Sequence, residues 1–565
     1  MKTSIRSKNT NHRCALALLA VCVSAASQAA QFEFDDGGSL GWDTYINYAA
    51  QWRTQSPADN LTKGRPLASA NPTDPTNLAI TQANTIKLNG NDGNRNFKAG
   101  DMIANRVSVI TELDYKNSFD TIDWGAFGRA KAFYDRVYKD SQNHVDQQDC
   151  DYFYNTGANV NQASTGDPND CSEFHPATRD ALGSDAYFLD AFVYMNFPFA
   201  GDTASVRIGQ QVINWGEALL FPGLSLEMNP ADVTATHVPG FEAKDAFLPS
   251  DAIDIKLPIT DALSFEAYYQ WEWKPNRMDP AGSYWSVNEG VGPGKELFYV
   301  PAGGADPSNP LTFTLRDLDD VEPDNDASHG VALRYLTQAG TEIGVYHILT
   351  QGRIDWYNLK YSGLDVGEKP TSSLAIPEAF YTRYFDDLSI YALSVNTPLG
   401  DWNLAMEYSY SANAPQYTSY NGWVERTPIS QLNLGVLQVF GPNPICDAIN
   451  FLAEAVTVRT NGWSDSDLQF DAHSTGLGFK ADFQYLGVLP GIDIIIPTAG
   501  QYIVDGNMPA HLLMLEDSKQ LAAGIRVVYL ERLEAELNYA TYFGNSDKNW
   551  IHDRDNVSLL FRYSL

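Results

Sequence analysis

Apolar and polar residues alternate with a period of two along most of this chain, in runs longer than a soluble sheet ordinarily carries. From Leu263 to Trp273 the odd positions are Leu263, Phe265, Ala267, Tyr269, Trp271 and Trp273, with Ser264, Glu266, Gln270 and Glu272 between them. Because side chains of an extended chain point to alternate faces, this predicts a strand with one apolar and one wet face. The same reading fits Leu40 to Tyr48, Val107 to Tyr115, Tyr187 to Phe197, Trp402 to Tyr410, Leu477 to Tyr485 and Leu533 to Tyr539. Soluble strands average ~5–6 residues, whereas a tilted strand crossing an outer membrane needs ~9–11. Several of these runs are of the longer kind.

The connections alternate in length too. Short turns are expected at Lys116-Asn117-Ser118, Pro198 to Thr203, Pro258 to Asp261, Thr337 to Thr341, Pro398-Leu399-Gly400 and around Glu531. Between them lie long polar segments, 54–103, 135–185, 216–250, 275–329, 352–387 and 413–473. Short turns at one end and long loops at the other predict an all-β, transmembrane antiparallel barrel of about 16 strands, within a range of roughly 14–18. The weakest strand runs from Asp493 to Val504, where Pro497 interrupts the ladder chemistry. The chain ends on Val557, Leu559, Phe561, Tyr563 and Leu565, alternating with Asn556, Ser558, Arg562 and Ser564. A terminal strand of that design closes a barrel and suits recognition by the barrel assembly machinery.

The first thirty residues change the picture by fixing a compartment. Lys2, Arg6, Lys8 and Arg13 precede an apolar stretch from Cys14 to Ala26, and Ser27-Gln28-Ala29-Ala30 supplies small residues for cleavage. Residues 1–30 therefore read as a cleaved secretory signal peptide and 31–565 as one outer-membrane barrel. Export agrees with the cysteines. Cys150 and Cys171 share one polar segment and are expected to form a disulfide in an oxidising compartment, which leaves Cys446 over.

Charge excludes one whole class of partner. With 38 Lys+Arg against 70 Asp+Glu the formal net charge is −32, and no basic cluster offsets it, so nucleic acid is not a partner. Mean hydropathy is −0.29 and no long apolar run occurs, so a helical membrane protein is excluded as well.

Four blocks carry a family resemblance: Asn91-Asp92-Gly93-Asn94-Arg95-Asn96-Phe97, the stretch from Ile208 to Ile253, the aromatic run Tyr268 to Ser286, and the ending HDRDNVSLLFRYSL. Together they resemble the proteobacterial outer-membrane protein family catalogued as domain of unknown function 1302. Gln210, where the family usually has Arg, and the terminal Leu565, where it usually has Phe, depart from its pattern. The barrel reading brings outer-membrane lipid and lipopolysaccharide as expected surroundings. The resemblance implies, as possible partners in the traffic of lipids or hydrophobic compounds, a periplasmic lipoprotein-like protein and an inner-membrane exporter of the resistance-nodulation-division type. It carries no catalytic or binding residues.

Residues 216–250 hold the candidate chemistry. Leu219, Leu220, Phe221, Leu224, Leu226, Met228 and Phe241 are too many large apolar groups for a loop in water. The segment is long enough to fold into the lumen as a plug or constriction, tied to the wall by Glu217, Glu242, Lys244 and Asp245. An apolar constriction favours hydrophobic or lipid-like cargo and resists ions by dewetting. Equally, these groups could only pack the loop for stability. Two other functions stay open: a general or cation-preferring water-filled porin, and a structural or adhesive barrel acting through its long loops. An enzyme is not expected, because Asp471, His473 and Ser474 are adjacent on an extended chain and point to opposite faces. No cofactor is expected. The acidic run from Arg316 to Asp326 could collect divalent cations but lacks the order of a calcium loop, and a solvated loop is the stronger reading.

Overall fold

A strand with one apolar face still leaves rows of backbone donors and acceptors at its edges, and only a closed ring satisfies all of them. The computed structural model describes residues 30–62, 89–139, 174–295, 297–301, 312–371, 376–419, 423–508 and 514–565. Among these, eighteen antiparallel strands form such a ring. They are β1 (Ser39–Arg53), β2 (Met102–Phe119), β3 (Ile122–Asp135), β4 (Ser184–Phe199), β5 (Asp202–Gln211) and β6 (Ser250–Pro258). Then come β7 (Leu263–Gln270), β8 (Ser328–Leu336), β9 (Glu342–Thr350), β10 (Leu388–Leu399), β11 (Trp402–Tyr417) and β12 (Val424–Phe440). The ring ends with β13 (Ala448–Thr460), β14 (His473–Leu489), β15 (Ile492–Asp505), β16 (Ser518–Tyr529), β17 (Leu533–Gly544) and β18 (Asn556–Ser564).

Each strand pairs with its neighbours in order, and β18 closes on β1 in register from Tyr45↔Ser564 to Arg53↔Asn556. The Leu565 N–H donates to the Thr44 carbonyl at 2.9 Å. Below the seam, Ala30–Glu33 folds back on Ser39–Trp42. On β18, Phe561 and Tyr563 are exposed outward, with Val557 and Leu559 on the same face, while Leu560 is buried inward. Leu113, Val193, Val345, Leu434, Leu477, Ile525 and Leu537 are likewise exposed on the outer face.

Eighteen strands replace the expected sixteen. The missing pair is β12 and β13, which lie inside the stretch read as a 413–473 loop. On β13 the alternation is hidden because inward positions are apolar as well, Val456 and Val458 being buried with Phe221 of the 216–250 segment; on β12 only Ile429 joins that cluster, and Gln431 and Asn433 face inward as polar groups. A second correction concerns β4. Tyr187 and Leu189 were expected on the outer face with Val193, but the β3–β4 register shifts between Gly128 and Ala130. This bulge inserts one residue into β4 and reverses the faces beyond it. Phe188 thus points outward at 59% exposure, and Asp190 meets the inward Arg129 at 3.0 Å. Strand β2 also runs on through Lys116 to Phe119, so the turn falls at Asp120, whose φ is 56°. The run ending at Trp273 stops as a strand at Gln270. Pro497 is accommodated within β15: it stands opposite Asp482 of β14, while the pairing with β16 skips Ile496 and Pro497.

The long-loop end is itself folded. Trp356–Tyr361, Pro377–Arg383, Thr312–Asp317 and Leu297–Pro301 form a separate four-stranded sheet in that order. The Asn91–Phe97 block anchors this end to the barrel seam. Asn94 Oδ1 accepts hydrogen bonds from Arg53 of β1 and from Arg554, just before β18. Arg53 also pairs with Asp553 at 2.9 Å, both side chains fully buried. Gly93 is required there, since an added Cβ would lie 2.2 Å from the Ser283 carbonyl oxygen.

Candidate functional site

The chain leaves β5 at Gln211 and returns at Ser250, and the segment between them turns inward at its first residues. Ile213 and Trp215 are fully buried. Asn229 staples the two limbs: its Oδ1 accepts from the Ile213 N–H at 2.9 Å, and its Nδ2 donates to the Ile213 carbonyl at 2.6 Å. Gly216 takes φ +93°, and an added Cβ there would stand 2.1 Å from Glu407 Oε2, so no other residue fits.

From this base the segment reaches two glutamates on the far wall. Glu407 of β11 accepts three backbone N–H groups, from Glu217 at 2.7 Å, Ala218 at 3.3 Å and Leu224 at 2.6 Å. Glu454 of β13 accepts two, from Leu219 and Leu220, each at 2.8 Å, and its other oxygen accepts from Asn433 at 2.6 Å. Both glutamates are buried. Strand β13 lies eight places round an eighteen-strand ring from β5, so the segment crosses the lumen. Carboxylates receiving N–H groups in a low-dielectric site make some of the stronger hydrogen bonds available to a protein.

Side chains complete the crossing. Leu224 and Met228 pack with Trp215 against Tyr268, Tyr346, Ile348 and Ile390 on the inner face of β7, β9 and β10. Phe221 packs with Ile429, Val456, Val458 and Ile503 on β12, β13 and β15. Gly476 and Gly478 of β14 clear its path, because an added Cβ would meet the Phe221 ring at 3.0 and 3.3 Å. Glu217 accepts from Asn396 of β10 at 2.6 Å. Burial lifts the Glu227 carboxyl to about 7, with Arg353 opposing and Glu407 adding to the rise.

The second limb touches the opposite side. Glu242 pairs with Arg562 of β18 at 2.6 Å, Lys244 lies 3.4 Å from Glu112 of β2, and Asp245 lies 3.6 Å from Arg129 of β3. Leu226 is half-buried, whereas Leu219 at 59% and Phe241 at 37% exposure are not packed on the wall. Sequence reasoning passed over Trp215 and the two receiving glutamates. Glu454, a lone charge in the apolar stretch Phe451 to Val456, was the available signal.

The remaining candidates resolve differently. Asp317 and Asp320 of the acidic run turn to Lys295, with the Asp317 contact at 3.4 Å, and among the described residues no group of three or more possible ligands could hold a metal. His473 pairs with Asp505 at 2.8 Å, while the Ser474 hydroxyl is buried and donates to the Asp505 and Gly506 carbonyls. The two therefore do not meet. Cys150, Cys171 and the signal segment 1–29 lie outside the described residues; Cys446 is a buried free thiol.

A family model described as "Protein of unknown function (DUF1302)" matches residues 11–565. No curated protein matches the chain. Among solved structures, Acinetobacter baumannii OccAB1 shares 10% identity at a TM-score of 0.43, covering 96% of this chain and 99% of that one. Pseudomonas aeruginosa OpdK with vanillate shares 12% at 0.41, covering 93% and 98%. Salmonella typhi OmpF in complex with daunomycin shares 10% at 0.36, covering 95% and 100%.

Proposed function

Given that the chain belongs to the DUF1302 family, we propose that it is an outer-membrane channel or transporter for hydrophobic or lipid-like molecules, constricted by residues 212–249. The observation that carries this reading is the crossing itself. A segment held by five N–H groups on Glu407 and Glu454 sets Phe221, Leu224 and Met228 across the lumen. An apolar constriction admits apolar cargo more readily than hydrated ions. In this setting the exposed outer face meets lipid and lipopolysaccharide, and the short turns face the periplasm. The lipoprotein-like partner and the exporter implied by the family resemblance would exchange cargo at that end.

A water-filled porin is the second reading. It is favoured by inward ion pairs that line other parts of the wall, such as Arg207–Asp254 at 2.7 Å and Arg526–Glu536 at 2.7 Å. Conductance of the purified barrel in a planar bilayer separates the two, measured beside a variant lacking Leu219 to Met228. A silent wild type and a deletion that opens large steady channels support the constricted conduit. A wild type that conducts freely, with little change on deletion, makes the protein a porin.

A further inference from the structure

The inner face of β3 carries Asp135, Phe133, Lys131, Arg129 and Phe127 in succession. Cations on this side of the lumen have carboxylate partners: Arg106 holds Asp135 at 3.2 Å, Arg129 holds Asp190 at 3.0 Å, Arg207 holds Asp254 at 2.7 Å and Arg277 holds Asp232 at 2.9 Å. Lys131 is the exception. Among the described residues it makes no ion pair and no hydrogen bond, although Asp245, Arg106, Asp232 and Arg277 all act on it electrostatically. A half-buried ammonium with three unused donors is costly to leave undressed, and in a chain this acidic a partner would have been easy to supply.

Its surroundings are apolar on both sides. Ile110 of β2 and Tyr187 of β4 stand opposite Lys131 in the flanking strands. Tyr187 faces inward only because of the β4 bulge, and the Arg277 guanidinium lies 4.7 Å from the centre of its ring. Bulges of this kind commonly re-aim a side chain at a functional position. Two inward residues before Lys131, Phe127 packs on Phe192 with ring centres 5.4 Å apart, and Tyr194 follows at 6.3 Å. An aromatic strip thus runs along the wall toward the short-turn end, interrupted between the lysine and Phe127 by the buried Arg129, which pairs with Asp190. At ~3.3 Å per residue, the four residues from Lys131 to Phe127 span about 13 Å.

We propose that Lys131 and this strip form a binding site for an amphipathic monoanion, with a carboxylate head on the ammonium and an apolar tail along Tyr187, Phe127 and Phe192. The proposal rests on the reading of the barrel as a conduit for hydrophobic cargo and names the class of that cargo. A single negative charge is matched, because Lys131 is one unpaired ammonium among carboxylates that arginines already hold, Asp135, Asp190 and Asp232. The Arg129 guanidinium donates to the Lys244 carbonyl at 3.3 Å, so the lumenal segment borders the site.

The test is calorimetric titration of the full-length mature barrel in phosphatidylcholine nanodiscs, with empty nanodiscs subtracted, using decanoate and decanol as probes. Wild type should bind decanoate about tenfold more tightly than decanol, the scale of one charge-assisted contact. Lys131→Met should abolish that preference and leave decanol binding unchanged, while Lys131→Arg should keep it. Lys131→Gln replaces the Met variant if the latter fails to fold by circular dichroism. Equal binding of both probes by wild type, or an undiminished preference in the Met and Gln variants, overturns the anion site alone. Binding of neither probe overturns the site together with the hydrophobic-conduit reading.

Discussion

Replacing Glu407 by alanine should release the lumenal segment without disturbing the barrel around it. The carboxylate receives three backbone N–H groups, from Glu217, Ala218 and Leu224. Leaving a buried donor unmet costs about 1–3 kcal/mol, and lumenal water would re-solvate part of the set, so a net loss of about 3 kcal/mol is expected. That lowers the ratio of docked to released segment roughly a hundredfold. Glu407→Gln should show a smaller effect of the same sign, because both carboxylate oxygens are engaged and the amide replaces one of them with a donor. Glu536→Gln is the control: this glutamate pairs with Arg526 on the wall. Two readouts apply, amide hydrogen exchange over residues 217–224 and open probability in planar bilayers. Faster exchange confined to the segment, with longer openings, is the expected result. Unchanged exchange and unchanged conductance in Glu407→Ala would refute the claim that the wall glutamates hold the constriction.

Three further outcomes follow from the same geometry. Phe221→Ala empties a buried aromatic site and should weaken segment docking by about 3–5 kcal/mol, read as faster exchange at residues 219–224. Leu537→Arg sets a charge mid-strand on the exposed outer face and should cost about 2–4 kcal/mol of membrane insertion, measured by refolding into vesicles, whereas Gln520→Arg on the inner face should cost little. In the folded loop end, Asp355 accepts from the Tyr384 hydroxyl at 2.9 Å and the Gly292 N–H at 3.1 Å, and burial pushes its carboxyl up to about 6. The folded state therefore favours the protonated acid. Its contribution is full below about pH 4 and is lost as pH rises through 6. Exchange at Gly292, corrected for intrinsic rate, should speed up across that window in wild type and stay flat in Asp355→Asn.

Much of the barrel was legible because an apolar outer face and a polar inner face impose opposite demands on neighbouring residues. Where both demands held, as along β7, β11 and β18, the strands stood out and the terminal Val557–Leu565 pattern was plain. The parts that escaped did so for local reasons. At β4 one inserted residue reversed the faces, and no period-two reading can register a bulge whose two flanks are each regular. Within 216–250 the apolar content was visible, but its receptors were not. Glu407 and Glu454 are single charges on two strands of the far wall, separated by 183 to 235 residues from the amides they receive, and only the closed ring brings them together.

The two strands that were missed entirely point to a more general link between pattern and contents. A barrel strand loses its alternation when its inner face is apolar, and its inner face is apolar only where something other than water fills the lumen beside it. Strand β13 meets that condition through Val456 and Val458, which receive Phe221 together with the single Ile429 of β12. The blurred stretch in the sequence and the apolar loop at 216–250 are then two halves of one contact. A second apolar patch, Tyr346 and Ile348 of β9 with Ile390 of β10, likewise lies under Leu224 and Met228, whereas the wall along β3 is polar and its other cation, Arg129, has carboxylate partners among the described residues. Lys131 breaks the pairing of cations but not the alternation, which is why it escaped notice in the pattern and stands out only in the folded wall.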